Sequence, residues 1–244
     1  MATKKPEPDP SAPRLSVRDR TLDVLRRRII SLELPPGSPL SENELAQELG
    51  VSRTPVRESL ILLREEGLVE VFPQIGSFVS LVDLARVGQA QFIREAIECA
   101  SLADVVAEPS GIAGLREILQ AQWDAEAAGD IDRFFRLDED FHRELLQLAG
   151  HEAAWNAVNS AKAHLDRARR LSLIDAGHVA TLIKQHTAVV DGLENSDQAA
   201  ADASLRLHLR GVFKDIERIQ GATPELFSDG SKPRASRRSV ARLS

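Results

Sequence analysis

The chain has 244 residues, 43% hydrophobic and 28% charged, with one cysteine and a net charge of −6. That is enough apolar material for one or two packed domains. Its apolar runs reach only about four residues, as at Leu60-Ile61-Leu62-Leu63, which excludes a membrane-spanning helix. Cys99 stands alone, which excludes an internal disulfide and a cysteine-rich zinc module and fits a reducing cytoplasm. Met1 to Pro10 is polar and lacks the apolar core of a secretion signal.

The charge is uneven. Residues 1–80 carry 11 Lys/Arg against 12 Asp/Glu, residues 81–220 carry 15 against 23, and residues 221–244 carry 5 against 2. The acid sits in the middle of the chain. A nucleic-acid face in the first 80 residues must therefore come from local clustering.

Residues 1–15 hold Pro6, Pro8, Pro10 and Pro13 and few apolar groups, and read as a disordered arm. A first helix is expected over 16–32, capped by Ser16, with Leu22, Leu25, Ile29 and Leu32 on one stripe. Leu34 to Pro39 then breaks the chain. A second helix opens on the capping box Ser41-Glu42-Asn43-Glu44, buries Leu45, Ala46 and Leu49, and ends at Gly50. A third opens at Ser52, tolerates Pro55 in its first turn, and buries Val56, Leu60 and Leu63 before Glu66-Gly67. Val69–Phe72 and Ser77–Ser80 read as two short strands.

From Leu81 onward the periodicity is helical throughout, in about six segments: 83–107, 111–128, 131–149, 152–171, 175–194 and 197–220. Short connections between them predict an antiparallel bundle. Residues 221–244 lack periodicity and read as a flexible basic tail, whose run from Lys232 to Arg242 is most simply a solvated charge cluster. The fold class expected is mostly α: a winged helix–turn–helix over 16–80 and a helical domain over 81–220.

In the third helix Arg53 and Arg57 lie one turn apart on one face, with Arg64 further along, opposite the apolar Val56 and Leu60. An arginine-bearing helix with an apolar back suits the major groove, where arginine grips guanine or phosphate. Thr54 is placed for a further contact, and the free N–H groups at Ser52 favour a phosphate. Gly76 has no Cβ to keep the backbone from DNA. An isolated R-x-x-x-R is usually a solvated pair, with Glu58 and Glu65 as partners here. The helix–turn–helix and hairpin around it favour DNA.

The string from Leu45-Ala46 through Leu49-Gly50-Val51-Ser52-Arg53-Thr54-Pro55-Val56-Arg57-Glu58-Ser59-Leu60 to Glu66-Gly67-Leu68-Val69 and Gly76-Ser77-Phe78-Val79 resembles the winged helix–turn–helix of GntR-family transcription regulators. The resemblance implies Arg53, Thr54, Arg57 and Gly76 as DNA contacts. Asn43 stands where some relatives carry an arginine.

All six histidines lie in the middle segment. Asp138 and His142 are spaced to share a helix face, and His186 and His208 each border an apolar stripe of a later helix. One carboxylate and three imidazoles would suit zinc first, with nickel or manganese as alternatives, and leave room for an exogenous oxygen ligand. Each histidine alone is more simply a hydrogen-bonded core residue. His151, His164 and His178 read as surface or structural.

The segment 83–220 resembles, more loosely, the FCD ligand-binding domain of the FadR-like branch, through Arg94 with Glu98, Asp138-x-x-Phe141-His142, Leu148-Ala149-Gly150, His186 and His208. That resemblance implies Asp138, His142, His186 and His208 as metal ligands. Arg94 is the cation that would meet a small carboxylate effector; a salt bridge to Glu98 is its simpler role. The expected protein is a homodimeric regulator, not an enzyme. It would bind double-stranded operator DNA, and an effector carboxylate would control it. Two rivals remain. One is a metalloenzyme in which Asp138 and the histidines activate water, although no second acid–base motif accompanies them. The other is a regulator whose metal is purely structural.

Overall fold

A computed structural model describes residues 16–105, 109–173 and 177–228. The arm at 1–15 and the basic run Lys232 to Arg242 lie outside the described residues.

The chain opens with α1 (Val17–Ile30), whose first turn is capped as expected: the Asp19 N–H donates to Ser16 Oγ at 3.1 Å. After the proline break comes β1 (Pro39–Leu40), then α2 (Glu42–Leu49). Ser41 caps α2 and Gly50, left-handed at φ 64°, ends it. Next is α3 (Arg53–Glu65), which buries Val56, Ser59, Leu60 and Leu63. β2 (Val69–Phe72) and β3 (Gly76–Val79) form the antiparallel hairpin, with Val69 opposite Val79 and Phe72 opposite Gly76. β1 is an addition to the expected hairpin. It pairs Pro39 with Phe78 and Leu40 with Ser77, so the sheet order is β1-β3-β2. Proline is tolerated there because it begins an edge strand, where its missing N–H costs no ladder bond. Leu25, Ile29, Leu45, Val56, Leu60, Leu63 and Val79 close one core over this head.

The remainder is largely helical: α4 (Leu84–Leu102), α5 (Pro109–Ala127), α6 (Ile131–Leu148), α7 (Trp155–Ala161), α8 (Ala163–Ser172), α9 (His178–Glu194) and α10 (Gln198–Ala222). Phe134, Phe141, Leu145, Ile183, Val189, Leu205 and Leu209 are among the residues filling its main core. α9 and α10 approach closely at Gly192, where a Cβ would come within 2.7 Å of the Ala201 backbone nitrogen.

Three expectations are corrected. The segment 152–171 is not one helix: a 3-10 turn (Glu152–Ala154) precedes α7, and the break before α8 falls at Lys162, whose ammonium turns inward to Glu139 and Asp166. The region after Leu81 is not strand-free. β4 (Val82–Asp83) pairs in parallel with β5 (Phe227–Ser228). The loose tail does not begin at 221, because α10 runs to Ala222 and a 3-10 turn (Pro224–Leu226) leads into β5. Two-residue strands are too short for alternation to show. They are held by a third core in which Leu226 and Phe227 join Val82, Val87, Leu165, Leu171, Val212 and Ile216.

Candidate functional site

On the N-terminal head, α3 presents Ser52, Arg53, Thr54 and Arg57 as exposed residues while Val56 and Leu60 face inward. Ser52 occupies the cap position, but its side chain makes no capping bond, so its hydroxyl remains available. Arg53 pairs with Glu42 of α2 at 3.1 Å rather than with Glu58 or Glu65. Such an exposed pair is weak and readily exchanged for a phosphate. In the hairpin Gly76 is exposed at φ 138°, a conformation that favours glycine, and Gln74 at the tip is held at φ 62°.

In the helical domain Asp138 and His142 on α6, His186 on α9 and His208 on α10 converge, all four buried, with one ligand atom from each within 4.8 Å of the others. The ring orientations follow from their outer partners. Gln122 donates its amide to the Leu137 carbonyl at 3.1 Å, so its Oε1 must face His186, whose Nδ1–H donates to it at 3.0 Å. The Nδ1–H of His142 donates to Glu98 Oε2 at 2.7 Å, and that of His208 to Gln185 Oε1 at 3.1 Å. All three Nε2 lone pairs therefore point inward. His208 Nε2 lies 3.2 Å from Nε2 of both His142 and His186.

Facing lone pairs at that distance repel unless a cation lies between them. Zn–N bonds of about 2.0–2.1 Å, at tetrahedral to octahedral angles, separate neighbouring nitrogens by roughly 2.8–3.4 Å. The Asp138 Oδ1 oxygen is buried without a hydrogen-bond partner and lies 3.7 Å from His186 Nε2. The residues present fit a divalent metal.

The electrostatics agree. Burial alone would raise the Asp138 carboxyl, but Arg169, His142 and His186 hold it well below the usual carboxylate range. Arg169 reaches the Oδ2 of Asp138 from α8. Burial pushes His186 down to about 3, and burial with the neighbouring imidazoles holds His208 well below its ordinary range, so both are neutral as metal ligands require. Burial would also raise Glu98, yet Arg94 and His142 bring it down to about 2.

Beside the cluster is a cavity of about 30 Å³ whose lining includes Arg94, Asp138, Ser172, His178, His208 and Asp215. Arg94 makes the salt bridge expected as its simpler role. Its Nε donates to Glu98 at 2.7 Å, while its buried Nη2 has no partner. His178 stands 3.3 Å from Asp215, and His151 meets Ser101 at 3.0 Å.

The sequence did not assign Arg169, Gln122 and Gln185 to the cluster, or the link from Glu98 to His142. Nothing in their spacing marks them, because each comes from another helix or from a solvent-like polar position. The reading of His164 as structural or surface also resolves. It is buried at the junction of the two domains, where its Nδ1 accepts the Asp83 N–H and its Nε2–H donates to the Gly67 carbonyl, both at 3.1 Å. Arg167, fully buried, donates to the Ser80 hydroxyl at 3.1 Å and to the Ser80 carbonyl.

Comparison with known proteins agrees with this geometry. Residues 18–79 match the family described as bacterial regulatory proteins, gntR family, and residues 90–211 match the FCD domain. An HTH-type transcriptional regulator in an unstable DNA locus of Streptomyces ambofaciens is 50% identical, over 88% of this chain and 92% of the relative. The HTH-type transcriptional repressor RspR of Escherichia coli K12 is 34% identical, over 89% of this chain and 96% of the relative. The fold is that of E. coli McbR/YncC, with a TM-score of 0.70 at 19% identity, over 84% of this chain and 99% of that one. No helix among the described residues is long and apolar enough to cross a membrane. The chain thus belongs to the gntR family of bacterial regulatory proteins and is a DNA-binding transcriptional regulator carrying an FCD domain.

Proposed function

We propose that this regulator is a repressor whose operator affinity is set by a small carboxylate bound at a divalent metal in the helical domain. The observation that carries the proposal is the inward convergence of three Nε2 lone pairs beside a buried carboxylate oxygen with no partner. Asp138, His142, His186 and His208 would hold the ion, zinc first and nickel or manganese as alternatives. When bound, the ion would supply a Lewis-acid docking point for a carboxylate oxygen.

The chain's own groups supply the rest of the recognition. The free Nη2 of Arg94 is a buried donor for a second carboxylate oxygen. Ser172, His178 and Asp215 line the cavity's other side and can read a hydroxyl. The cavity's small volume restricts the effector to a few heavy atoms unless side chains move.

On DNA, Arg53 and Arg57 would enter the major groove, with Thr54 and the Ser52 end of α3 on the phosphates and Gly76 against the backbone. One recognition helix covers few base pairs, so a two-fold homodimer reading two half-sites is part of the proposal. Its support is apolar exposure on two neighbouring helices: Phe92 of α4 is 75% exposed, and Leu207 and Phe213 of α10 are 61% and 41% exposed. Effector binding can release operator DNA only by favouring a head arrangement that fits the half-sites less well.

A thermal-shift screen of sugar acids, dicarboxylates, hydroxy acids and amino acids on the zinc-loaded protein tests this. A compound that raises the melting temperature and also weakens operator binding is expected. If no carboxylate moves either quantity, effector control fails.

A further inference from the structure

The two domains meet at α8, and the polar groups of that helix are not explained by packing. We infer that α8 is the element that sets the DNA head on the helical domain and ties that setting to Asp138, with His164, Arg167 and Arg169 as its positioning residues. The part concerning Asp138 rests on the metal-controlled reading proposed above.

Among the described residues, α8 holds three points at the junction of the head and the helical domain. Gly67 follows Glu66, the C-cap of the recognition helix, and its carbonyl accepts from His164. Ser80 directly follows the last wing strand, and both its hydroxyl and its carbonyl accept from Arg167. Asp83 caps α4, and its backbone N–H donates to the other nitrogen of His164. One imidazole thus spans the end of the recognition helix and the start of the helical domain. These two bonds also fix its tautomer, with the proton on Nε2. Arg86 adds a fourth tie, donating to the Glu66 carbonyl at 2.9 Å.

The same helix grips the ligand cluster. Arg169 reaches Asp138 through the oxygen that does not face His186, and also donates to Glu139 at 3.0 Å. Lys162, at the break that begins α8, holds Asp166 at 2.5 Å together with Glu139. Leu165, Ala168 and Leu171 pack into the third core between these two polar sets. One ten-residue helix thus carries both sets of contacts.

Arg167 is an uncommon choice for such a joint. It is a fully buried guanidinium whose Nε has no partner, and no carboxylate lies within ion-pair distance of it among the described residues. A buried charge so poorly compensated is unfavourable, and an apolar side chain would pack the joint at lower cost. What the guanidinium provides instead is a directional double grip on Ser80.

The test measures the zinc dissociation constant of the full-length protein with and without a saturating duplex selected by the wild-type protein from a random library. Coupled sites show a ratio of about 5–150-fold in the wild type. In His164→Leu and Arg167→Met the ratio should fall to within about twofold of one, while zinc affinity without DNA stays at the wild-type value, since neither residue touches the cluster. His164→Gln, which can still accept and donate, should restore part of the ratio. A purely structural role would lower the melting temperature and leave the ratio intact, and that result overturns the inference. Should Arg167→Met not fold, the two His164 variants decide alone. A wild-type ratio near one would overturn the tie between Asp138 and the head, while effector control stands or falls on the carboxylate screen; a wild-type ratio preserved in the variants overturns the role of α8.

Discussion

His142 and His208 face each other with their Nε2 atoms 3.2 Å apart, although 66 positions separate them in the sequence. Neither nitrogen can donate to the other, because each ring carries its proton on Nδ1, held by Glu98 in one case and Gln185 in the other. The outer acceptors therefore matter as much as the ligands. Gln122→Leu removes the acceptor that orients His186 and should weaken zinc binding about 10–100-fold without removing any ligand. Competition against a chelating dye reads this directly, and an unchanged affinity would show that Gln122 does not set the ring.

Arg57→Ala should weaken operator binding by about 1–3 kcal/mol, because the guanidinium projects from the exposed face of α3. Its apolar neighbours on the opposite face are untouched, so the melting temperature should not move. A gel-shift titration matching the wild type would remove Arg57 from the interface.

If the proposed homodimer forms through the face that carries Phe92, Phe92→Glu should shift the protein from dimer to monomer in sedimentation experiments. The ring is largely exposed, so the substitution relieves rather than damages the folded chain. A dimer that persists would place the two-fold contact elsewhere.

Much of this was legible in the residues. The caps at Ser16, Ser41 and Gly50 marked helix ends because they satisfy backbone groups locally. The clustered residues were partly visible, Asp138 and His142 by their spacing on one helix face and His186 and His208 beside apolar stripes, and the resemblance to the FCD domain joined the four. What was hidden depended on long-range contact. β1 pairs only because the wing comes to it, β5 pairs with a strand far earlier in the chain, and the break at Lys162 accompanies carboxylates from α6 and α8. His164 looked like any surface histidine, since its two partners are backbone atoms of Gly67 and Asp83, which side-chain patterns do not reveal.

His164 also gives the protein a pH dependence. Burial, with Arg167 and Arg86 nearby, pushes it down to about 4 from an ordinary 6.5, outweighing the Gly67 bond and Asp83. The neutral ring is the one the fold uses, so its stabilisation is complete above pH 6.5 and is lost as pH falls towards 4. The loss amounts to roughly 3–4 kcal/mol for that depression. Denaturant unfolding of the wild type and His164→Gln across this range should show the steeper fall in the wild type. Parallel curves would mean that the ring titrates normally.

The most direct measurement of the central claim is the metal-to-protein ratio by elemental analysis after equilibration with zinc and desalting. The convergence of Asp138, His142, His186 and His208 predicts a ratio near one per chain, with a marked fall in His208→Ala. A wild-type ratio near zero, or an unchanged ratio in the variant, would contradict it.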